Sequence, residues 1–276
     1  MPSKSIAISL LGVLFAAGAA ASTFTVDSIG DEPDDDTSDG VCHTVVATCT
    51  LRAAIEQANA SGGTDLIAFA IAGPGVHTIA PVSPLPALTD AAGVTIDGYT
   101  QPGAARNTDA VATNAVLLIQ ISGDLLPNDP GSFAGIEIQS SNSSLLGLAV
   151  GGFGDAIRIS AGDRTRVLGC FLGTDAAGAT ASPNQNGVLV QPSVVVPSDV
   201  EVGDGTDAGA NLISGNLSNG IAVGFTGDFT ASRNLVGTDH SGTVALPNAV
   251  GISMVVVTVY GPSAASGGTV SRCSLE

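Results

Sequence analysis

The chain of 276 residues carries 25 Asp or Glu against 8 Lys or Arg, and its formal net charge is −17. Positive charge and stacking aromatics are both scarce, which argues against nucleic-acid binding. Four Cys are too few for a dense disulfide scaffold, and 44% apolar residues exclude a wholly disordered chain. The 36 Gly show no three-residue period, so collagen is excluded too. An acidic, Gly-rich, β-rich globular protein remains.

Residues 1–21 have the order of a secretory signal peptide. Lys4 supplies a positive charge, residues 6–21 are apolar or small, and Ala19-Ala20-Ala21 offers a small-residue cleavage site before Ser22. The alternative is a membrane anchor, but the run is shorter than the roughly 20 residues that a spanning helix requires. We therefore predict an exported mature chain with no transmembrane segment. That chain contains no lysine, because Lys4 is the only one.

Residues 27–41 form an acidic loop. Asp34, Asp36 and Asp39 lie close together in it, near Pro33 and Gly40. Carboxylates at such spacing are candidate Ca²⁺ ligands, since Ca²⁺ prefers six to eight oxygens. The spacing does not match an EF-hand loop, and a solvated acidic loop is the favoured interpretation. We therefore expect no cofactor, with Ca²⁺ as the alternative.

Cys42 and Cys49 follow in one short segment. In an exported chain they are the natural disulfide pair. A metal site is the alternative, but no second Cys or His pair accompanies them. We treat His43 as an ordinary loop residue.

Residues 50–60 are predicted to form a helix. Leu51, Ala54, Ile55 and Ala58 make one apolar stripe at helical spacing, and Gly62-Gly63 ends it. This stripe is well placed to cover the N-terminal end of a core. Short strands are predicted to follow at residues 66–70, 77–79 and 94–97.

The second half of the chain contains an internal repeat. Residues 173–184 and 237–248 are identical at seven of twelve positions, with a constant offset of 64. Shorter similarities recur after about one third of that offset, as in Ile136-Glu137-Ile138 and Ile157-Arg158-Ile159. We interpret the offset as three equal units, each a coil of short strands. This pattern predicts an all-β parallel β-helix, with a leucine-rich repeat as the alternative.

Stacked coils place matched residues next to each other. Glu137 and Arg158 are expected to be outward neighbours. Cys170, Asn216, Asn234 and Cys273 are expected to occupy one ladder position on successive coils, with the amides bonded to one another. About five coils would separate Cys170 from Cys273, over ~20 Å at the usual strand spacing. We therefore predict that these two thiols do not pair.

Three segments resemble a known family. The first resembles the CSLREA motif of secreted bacterial proteins and consists of Asp39-Gly40-Val41-Cys42, residues 49–55 (CTLRAAI) and Ala58-Asn59. Residues 95–103 (TIDGYTQPG) and the paired GTD…PN segments resemble other parts of these proteins. The resemblance implies a right-handed parallel β-helix like that of pectin lyase, and a secreted or cell-surface bacterial location. The chain departs from the motif at Ala53, where the family has Glu.

The chain is expected to have three parts. Residues 1–21 are the signal peptide, 22–103 an N-terminal cap with the first coils, and 104–276 the β-helix repeats. The last part is expected either to be a fragment of a longer protein or to be capped by a partner at its end.

Catalytic residues cannot be named from the sequence. A lyase of this fold typically combines Ca²⁺-binding carboxylates with an Arg or Lys base on one outward face, and the candidates for that face are Arg158, Arg164, Arg166, Asp155 and Asp163. An Arg base requires a strongly cationic site, which so acidic a chain does not favour. A hydrolase would need two opposed carboxylates. Asp175 and Asp239 are interpreted as turn residues that bond their own backbone. The leading expectation is a structural or binding module whose elongated face contacts polysaccharide or other surface components. A carbohydrate-active enzyme is the alternative, and no nucleic-acid partner is expected.

Overall fold

The computed structural model describes residues 20–126, 132–193, 195–224 and 226–254, and the backbone of 273–275. Within these ranges one α-helix, α1, spans Leu51–Ala60, and a 3-10 helix spans Gly98–Thr100. The strands, in chain order, are β1 Thr23–Val26, β2 Asp65–Phe69, β3 His77–Ile79, β4 Val94–Asp97, β5 Ile119–Ser122, β6 Ala134–Ile138, β7 Ser144–Leu146, β8 Leu148–Gly151, β9 Asp155–Ile159, β10 Arg166–Leu168, β11 Phe171–Leu172, β12 Asn186–Val190, β13 Val200–Asp204, β14 Leu212–Ile213, β15 Asn219–Val223, β16 Phe229–Ser232, β17 Leu235–Val236, β18 Val250–Met254 and β19 Cys273–Leu275.

The strands form three sheets, and every pairing between named strands is parallel. Sheet 1 has the order β1-β2-β4-β7-β10-β13-β16-β19. Sheet 2 runs β17-β14-β11-β8-β5-β3, and sheet 3 runs β18-β15-β12-β9-β6. From β7 to β18, successive strands belong to sheets 1, 2 and 3 in a fixed order, and we call one set of three such strands a circuit. Each strand pairs with the strand of the same sheet in the preceding circuit.

The circuits differ in length, which corrects the three equal units predicted from the sequence. Ile136 pairs with Ile157, at the short spacing that the triplets predict. Later circuits are longer, because Asn186 pairs with Asn219 and Asn219 pairs with Val250. The offset between the two GTD…PN segments therefore spans two circuits, not three. Loops inserted between the strands account for the extra length.

The core lies between the three sheets. Alternate residues of each strand point inward, and the inner set is dominated by Ile, Val and Leu. At the N-terminal end α1 packs its apolar stripe against β1 and β2, and Leu51, Ala54, Ile55 and Ala58 are all fully buried. The predicted covering of the core by this helix is confirmed. Four fully buried side chains of this size contribute several kcal/mol of hydrophobic stabilisation, at roughly 25 cal/mol per Å².

The predicted helix begins and ends close to where the pattern places it. Thr50 is the N-cap, and its hydroxyl accepts a hydrogen bond from the backbone N–H of Ala53. The three predicted early strands are present, the first of them one residue earlier than expected.

Most of the predicted signal peptide, residues 1–19, lies outside the described residues. Among the helices that the structure describes, none has the length and apolar character to cross a bilayer.

Candidate functional site

The calcium candidates of the acidic loop are engaged in turns of their own backbone. Asp34 accepts hydrogen bonds from the backbone N–H of Asp36 and of His43. Asp36 accepts from the N–H and hydroxyl of Ser38, and Asp39 accepts from the N–H of Val41. The Ser38 hydroxyl is the main reason that the pKa of Asp36 is lowered. Within the described ranges no group of three or more His, Cys, Asp or Glu is arranged to hold a metal ion.

The disulfide and His43 close this loop. Cys42 and Cys49 are bonded, with their Cα atoms 5.3 Å apart. Nδ1 of His43 lies 2.5 Å from Oδ1 of Asp35, and Nε2 lies 3.6 Å from Oδ2 of Asp39. A hydrogen bond to its own backbone, followed by the charges of Asp35 and Asp39, raises the pKa of His43. Sequence reasoning treated His43 as an ordinary loop residue and missed these ion pairs.

Arg52 of the CSLREA-like segment is the centre of a buried polar cluster. Its Nε and Nη2 donate to the two carboxylate oxygens of Asp31, each at 3.0 Å. The same guanidinium donates to the carbonyls of Ser83 and Pro84 at 2.8 and 3.0 Å. The side chains of Arg52 and Asp31 are only 10% and 12% exposed. Arg52 therefore joins α1 to the acidic loop and to the loop before β4, which is a structural role.

Other polar residues of α1 act in the same way. Gln57 donates to the Thr37 carbonyl, and Glu56 accepts from the Asp34 backbone N–H. Asn59 donates to the Ala87 carbonyl. Each contact ties a neighbouring loop to the helix.

The segment TIDGYTQPG, residues 95–103, also holds distant parts of the chain together. The Tyr99 hydroxyl donates to the Gly169 carbonyl at 2.8 Å. The Tyr99 ring lies against the turns at Gly147 and Gly169, so a Cβ on either glycine would lie within 2.6 Å of the tyrosine. Both glycines have a positive φ, +64° and +63°, which L side chains rarely adopt. The Arg106 guanidinium packs over the ring, 4.5 Å from its centroid.

Residues 98–118 form a strap across the outside of sheet 2. Asn107 donates to the Asp207 carbonyl, and the Thr113 N–H donates to the His240 carbonyl at 2.8 Å. A second apolar cluster lies between the strap, the loop after β11 and the outer face of sheet 2. Its members are Tyr99, Ala115, Leu117, Ala149, Phe171, Ala176, Leu212 and Leu235. The outer face of sheet 2 is therefore covered by the chain itself.

Sheet 1 carries a regular line of polar side chains on its outer face, which we call the polar row. The register places Thr95, Ser144, Arg166, Glu201 and Thr230 side by side on five successive strands. At the usual strand spacing the row extends for about 19 Å. Nε of Arg166 lies 3.1 Å from Oε2 of Glu201. Every member of the row is at least partly exposed, so the row is accessible to a ligand.

The charged residues proposed for a lyase face are divided between two sheets. Arg158 lies on sheet 3 and bonds to Asp155 through Nε at 2.7 Å. Arg166 lies on sheet 1, and Arg164, in the turn before it, donates to the amide oxygen of Asn142. Asp163 accepts from the Ser198 N–H. The structure does not bring these residues together into one cationic face.

Sheet 3 carries three charged residues, Glu137, Asp155 and Arg158, on its adjacent strands β6 and β9. Glu137 and Arg158 are register neighbours, as expected. The ion pair of Arg158, however, is with Asp155, while Glu137 accepts from the Ser160 hydroxyl at 2.7 Å. Asp155 also accepts from the amide of Asn186. Arg158 is thus paired with Asp155 of its own strand, while Glu137 lies opposite it on the neighbouring strand.

Asn216 and Asn234 lie in two separate ladders, which corrects the single ladder expected from the sequence. The Asn216 amide accepts from Asn184 at 3.0 Å and donates to Asn248 at 2.8 Å. Asn234 accepts from the amide of Asn211 at 2.8 Å.

Of the two thiols placed in the ladder, only Cys170 is in register with it, next to Asn211. Its backbone N–H donates to the Asn211 side chain, and its thiol is free and fully buried. Burial raises the pKa of Cys170 to about 12. The backbone of Cys273 pairs opposite Phe229 rather than Asn234, so Cys273 is out of the ladder register.

The repeated GTD loops are turns, as interpreted from the sequence. Oδ1 of Asp175 accepts from the N–H groups of Ala179 and Thr180. Oδ1 of Asp239 accepts from the N–H of Ser241 and of Val244. The glycines three positions after each Asp have φ of +66° and +71°.

Compared with models of known protein families, the chain matches none, and no curated protein is similar enough to count as a relative. The likeness to CSLREA-motif proteins therefore rests on the quoted motif residues.

Proposed function

We propose that this chain is an exported structural or binding module with the architecture of a right-handed parallel β-helix, and that its polar row contacts glycans or other surface molecules. Rotation of the chain through three parallel sheets supports this architecture, as do the side-chain ladders. The disulfide in a short loop is compatible with an extracellular location and with kinship to the CSLREA-motif proteins.

The observation that carries the proposal is the difference between the outer faces of the sheets. The strap and an apolar cluster cover sheet 2. The polar row of sheet 1 remains accessible and repeats once per strand, so it presents hydroxyl and charged groups at a regular spacing. A repeating ligand with hydrogen-bonding groups along its length fits such a surface, as extended ligands fit the faces of other solenoids.

The negative net charge of the chain argues against acidic polysaccharides as its ligands. The chain has a net charge of −17 and would repel polyanions at moderate ionic strength. We therefore propose neutral or amino-sugar-containing polysaccharides as ligands. Acidic polysaccharides such as polygalacturonate would bind only where a divalent cation bridges the two.

The test is binding of residues 22–276 to insoluble neutral, amino-sugar and acidic polysaccharides. The double variant Arg166→Ala/Glu201→Ala removes one ion pair from the polar row without changing the net charge. We expect binding to weaken by about tenfold, because hydrogen bonds from charged groups contribute about 1.5–3 kcal/mol each. Arg164→Asn, in the turn before β10 and outside the row, is the control. Equal binding by all three proteins would contradict the assignment of the row.

A carbohydrate-active enzyme is the second candidate, and sheet 3 is the observation in its favour. Glu137 and Asp155 lie on adjacent strands beside Arg158, and two carboxylates are the parts that glycoside hydrolysis requires. Their hydrogen bonds argue for a structural role, since Asp155 is 3% exposed and bonds to Arg158 and Asn186. Release of new oligosaccharide ends from an incubated polysaccharide would indicate the enzyme, and binding without release would indicate the module.

A further inference from the structure

Asp65, the first residue of β2, is a buried carboxylate that lacks a full set of partners. It is 1% exposed. Oδ1 accepts a hydrogen bond from the backbone N–H of Ser22 at 2.8 Å, while Oδ2 has no hydrogen-bond partner among the described residues. The Ser22 carbonyl accepts from the Leu66 N–H, which fixes Ser22 beside the carboxylate. Ser22 directly precedes β1, the edge strand of sheet 1.

A second buried acid lies nearby. Asp90 is 8% exposed, and its Oδ2 also lacks a partner within the described ranges. Its Oδ1 accepts only a long bond of 3.3 Å from the Ala92 N–H. Burial raises the pKa of Asp65, and the charge of Asp90 raises it further, against the effect of the Ser22 N–H. Two buried acids without a cation are costly, because an unpaired buried charge loses its hydration.

We propose that Asp65 and Asp90 form a receptor site for the α-ammonium group of Ser22, which is created when the leader is removed after Ala21. Hydrolysis of the Ala21–Ser22 peptide bond by an endopeptidase consumes one water, leaves a carboxylate on Ala21 and gives Ser22 a protonated amine. The single N–H donor beside Asp65 then becomes a cation with three donors. Ala20 and Ala21 are exposed, so the bond is accessible.

The site would couple processing to the stability of the N-terminal cap. β1 pairs with β2 alone in sheet 1, and its inward residues pack against α1. Before cleavage, one carboxylate oxygen of Asp65 and one of Asp90 lack hydrogen-bond partners among the described residues. After cleavage a buried ion pair holds the first residue of the mature chain. The inference uses the predicted cleavage site and is independent of the ligand of the polar row.

The absence of lysine in the mature chain makes the test selective. The Ser22 amine is then the only primary amine, so an acylating reagent reports on it alone. An unperturbed α-amine titrates at about 7.7–8.0, and we expect the folded protein to show a higher pKa for this group. Acylation at pH 7 should be roughly tenfold slower in wild type than in Asp65→Asn, because a pKa raised by one unit leaves about a tenth as much of the reactive, unprotonated amine. Asp124→Asn, an exposed acid, is the control and should match wild type.

Thermal unfolding supplies a second readout that does not depend on reactivity. Acetylation of Ser22, or retention of Ala21, should lower Tm by about 2–4 °C in wild type and leave Asp65→Asn unchanged. Should Asp65→Asn fail to fold, Asp90→Asn takes its place. Mass spectrometry of the exported chain should give Ser22 as the first residue. A different first residue, an amine acylated equally fast in wild type and variant, or an unchanged Tm would each overturn the proposal.

Discussion

Replacing Arg52 by Ala should destabilise the N-terminal cap more than any other single arginine substitution among the described residues. The change removes a guanidinium that bonds to Asp31, Ser83 and Pro84. It leaves the Asp31 carboxylate largely buried, with the Val82 N–H as a remaining donor. Loss of one partner from a buried ion pair is costly, because the other charge stays desolvated.

The magnitude follows from the burial of the pair. Arg52 and Asp31 are 10% and 12% exposed, so the usual cost of about 3–5 kcal/mol for breaking a buried pair applies near its lower end. For a domain of this size, Tm should fall by about 6–12 °C. Arg52→Lys keeps the charge but not the forked geometry, so its Tm should lie between those of wild type and Arg52→Ala.

Hydrogen exchange monitored by mass spectrometry locates the effect. Peptides covering residues 27–60 and 80–90 should exchange faster in Arg52→Ala, while peptides from β12 and β15 should keep their protection. Arg164→Asn is the matched control, since this exposed arginine bonds to Asn142 through one side-chain contact. If Arg52→Ala and Arg164→Asn unfold within ~1 kcal/mol of each other, the buried cluster is not what holds the cap.

Three further predictions concern the turns, a ladder and the acidic loop. Gly147→Ala should cost about 2–4 kcal/mol in denaturant unfolding, because a positive φ and contact with the Tyr99 ring both oppose a Cβ; an equal cost in a Tyr99→Ala background would refute the contact. Asn216→Ala should cost about 2–4 kcal/mol, since buried partners lose their bonds on both sides; a change below ~0.5 kcal/mol would contradict the ladder. His43 has a raised pKa, so its contribution to stability should be complete below pH about 6.5 and disappear as pH rises through the folded pKa. An NMR titration should show this pKa falling in Asp35→Asn; a midpoint unchanged by that substitution would remove Asp35 from the explanation.

Local signals in the sequence were sufficient to predict the helix and the disulfide at the N-terminal end of the chain. The stripe of α1 and the pair of close cysteines each depend on residues that are near neighbours in the chain, so composition and spacing identify them. The GTD turns were predictable for the same reason, because the Asp bonds backbone groups a few positions further along.

The circuit length was mispredicted because the short spacing between Ile136 and Ile157 was extended to the later circuits, which inserted loops lengthen. The ladders were mispredicted because each circuit contains more than one Asn-bearing turn. Asn216 and Asn234 have similar local sequences but lie in different ladders. The strap was not foreseen, because the contacts that hold residues 98–118 in place are with distant circuits.

The most direct test of the proposed function is a combined binding and product measurement. Folded mature protein is incubated with neutral, amino-sugar and acidic polysaccharides with and without Ca²⁺, and mass spectrometry follows both retained protein and soluble oligosaccharides. The account predicts retention on a neutral or amino-sugar polymer, weakened by Arg166→Ala/Glu201→Ala, with no new chain ends. New oligosaccharides that disappear in Glu137→Gln would contradict the module and assign catalysis to sheet 3.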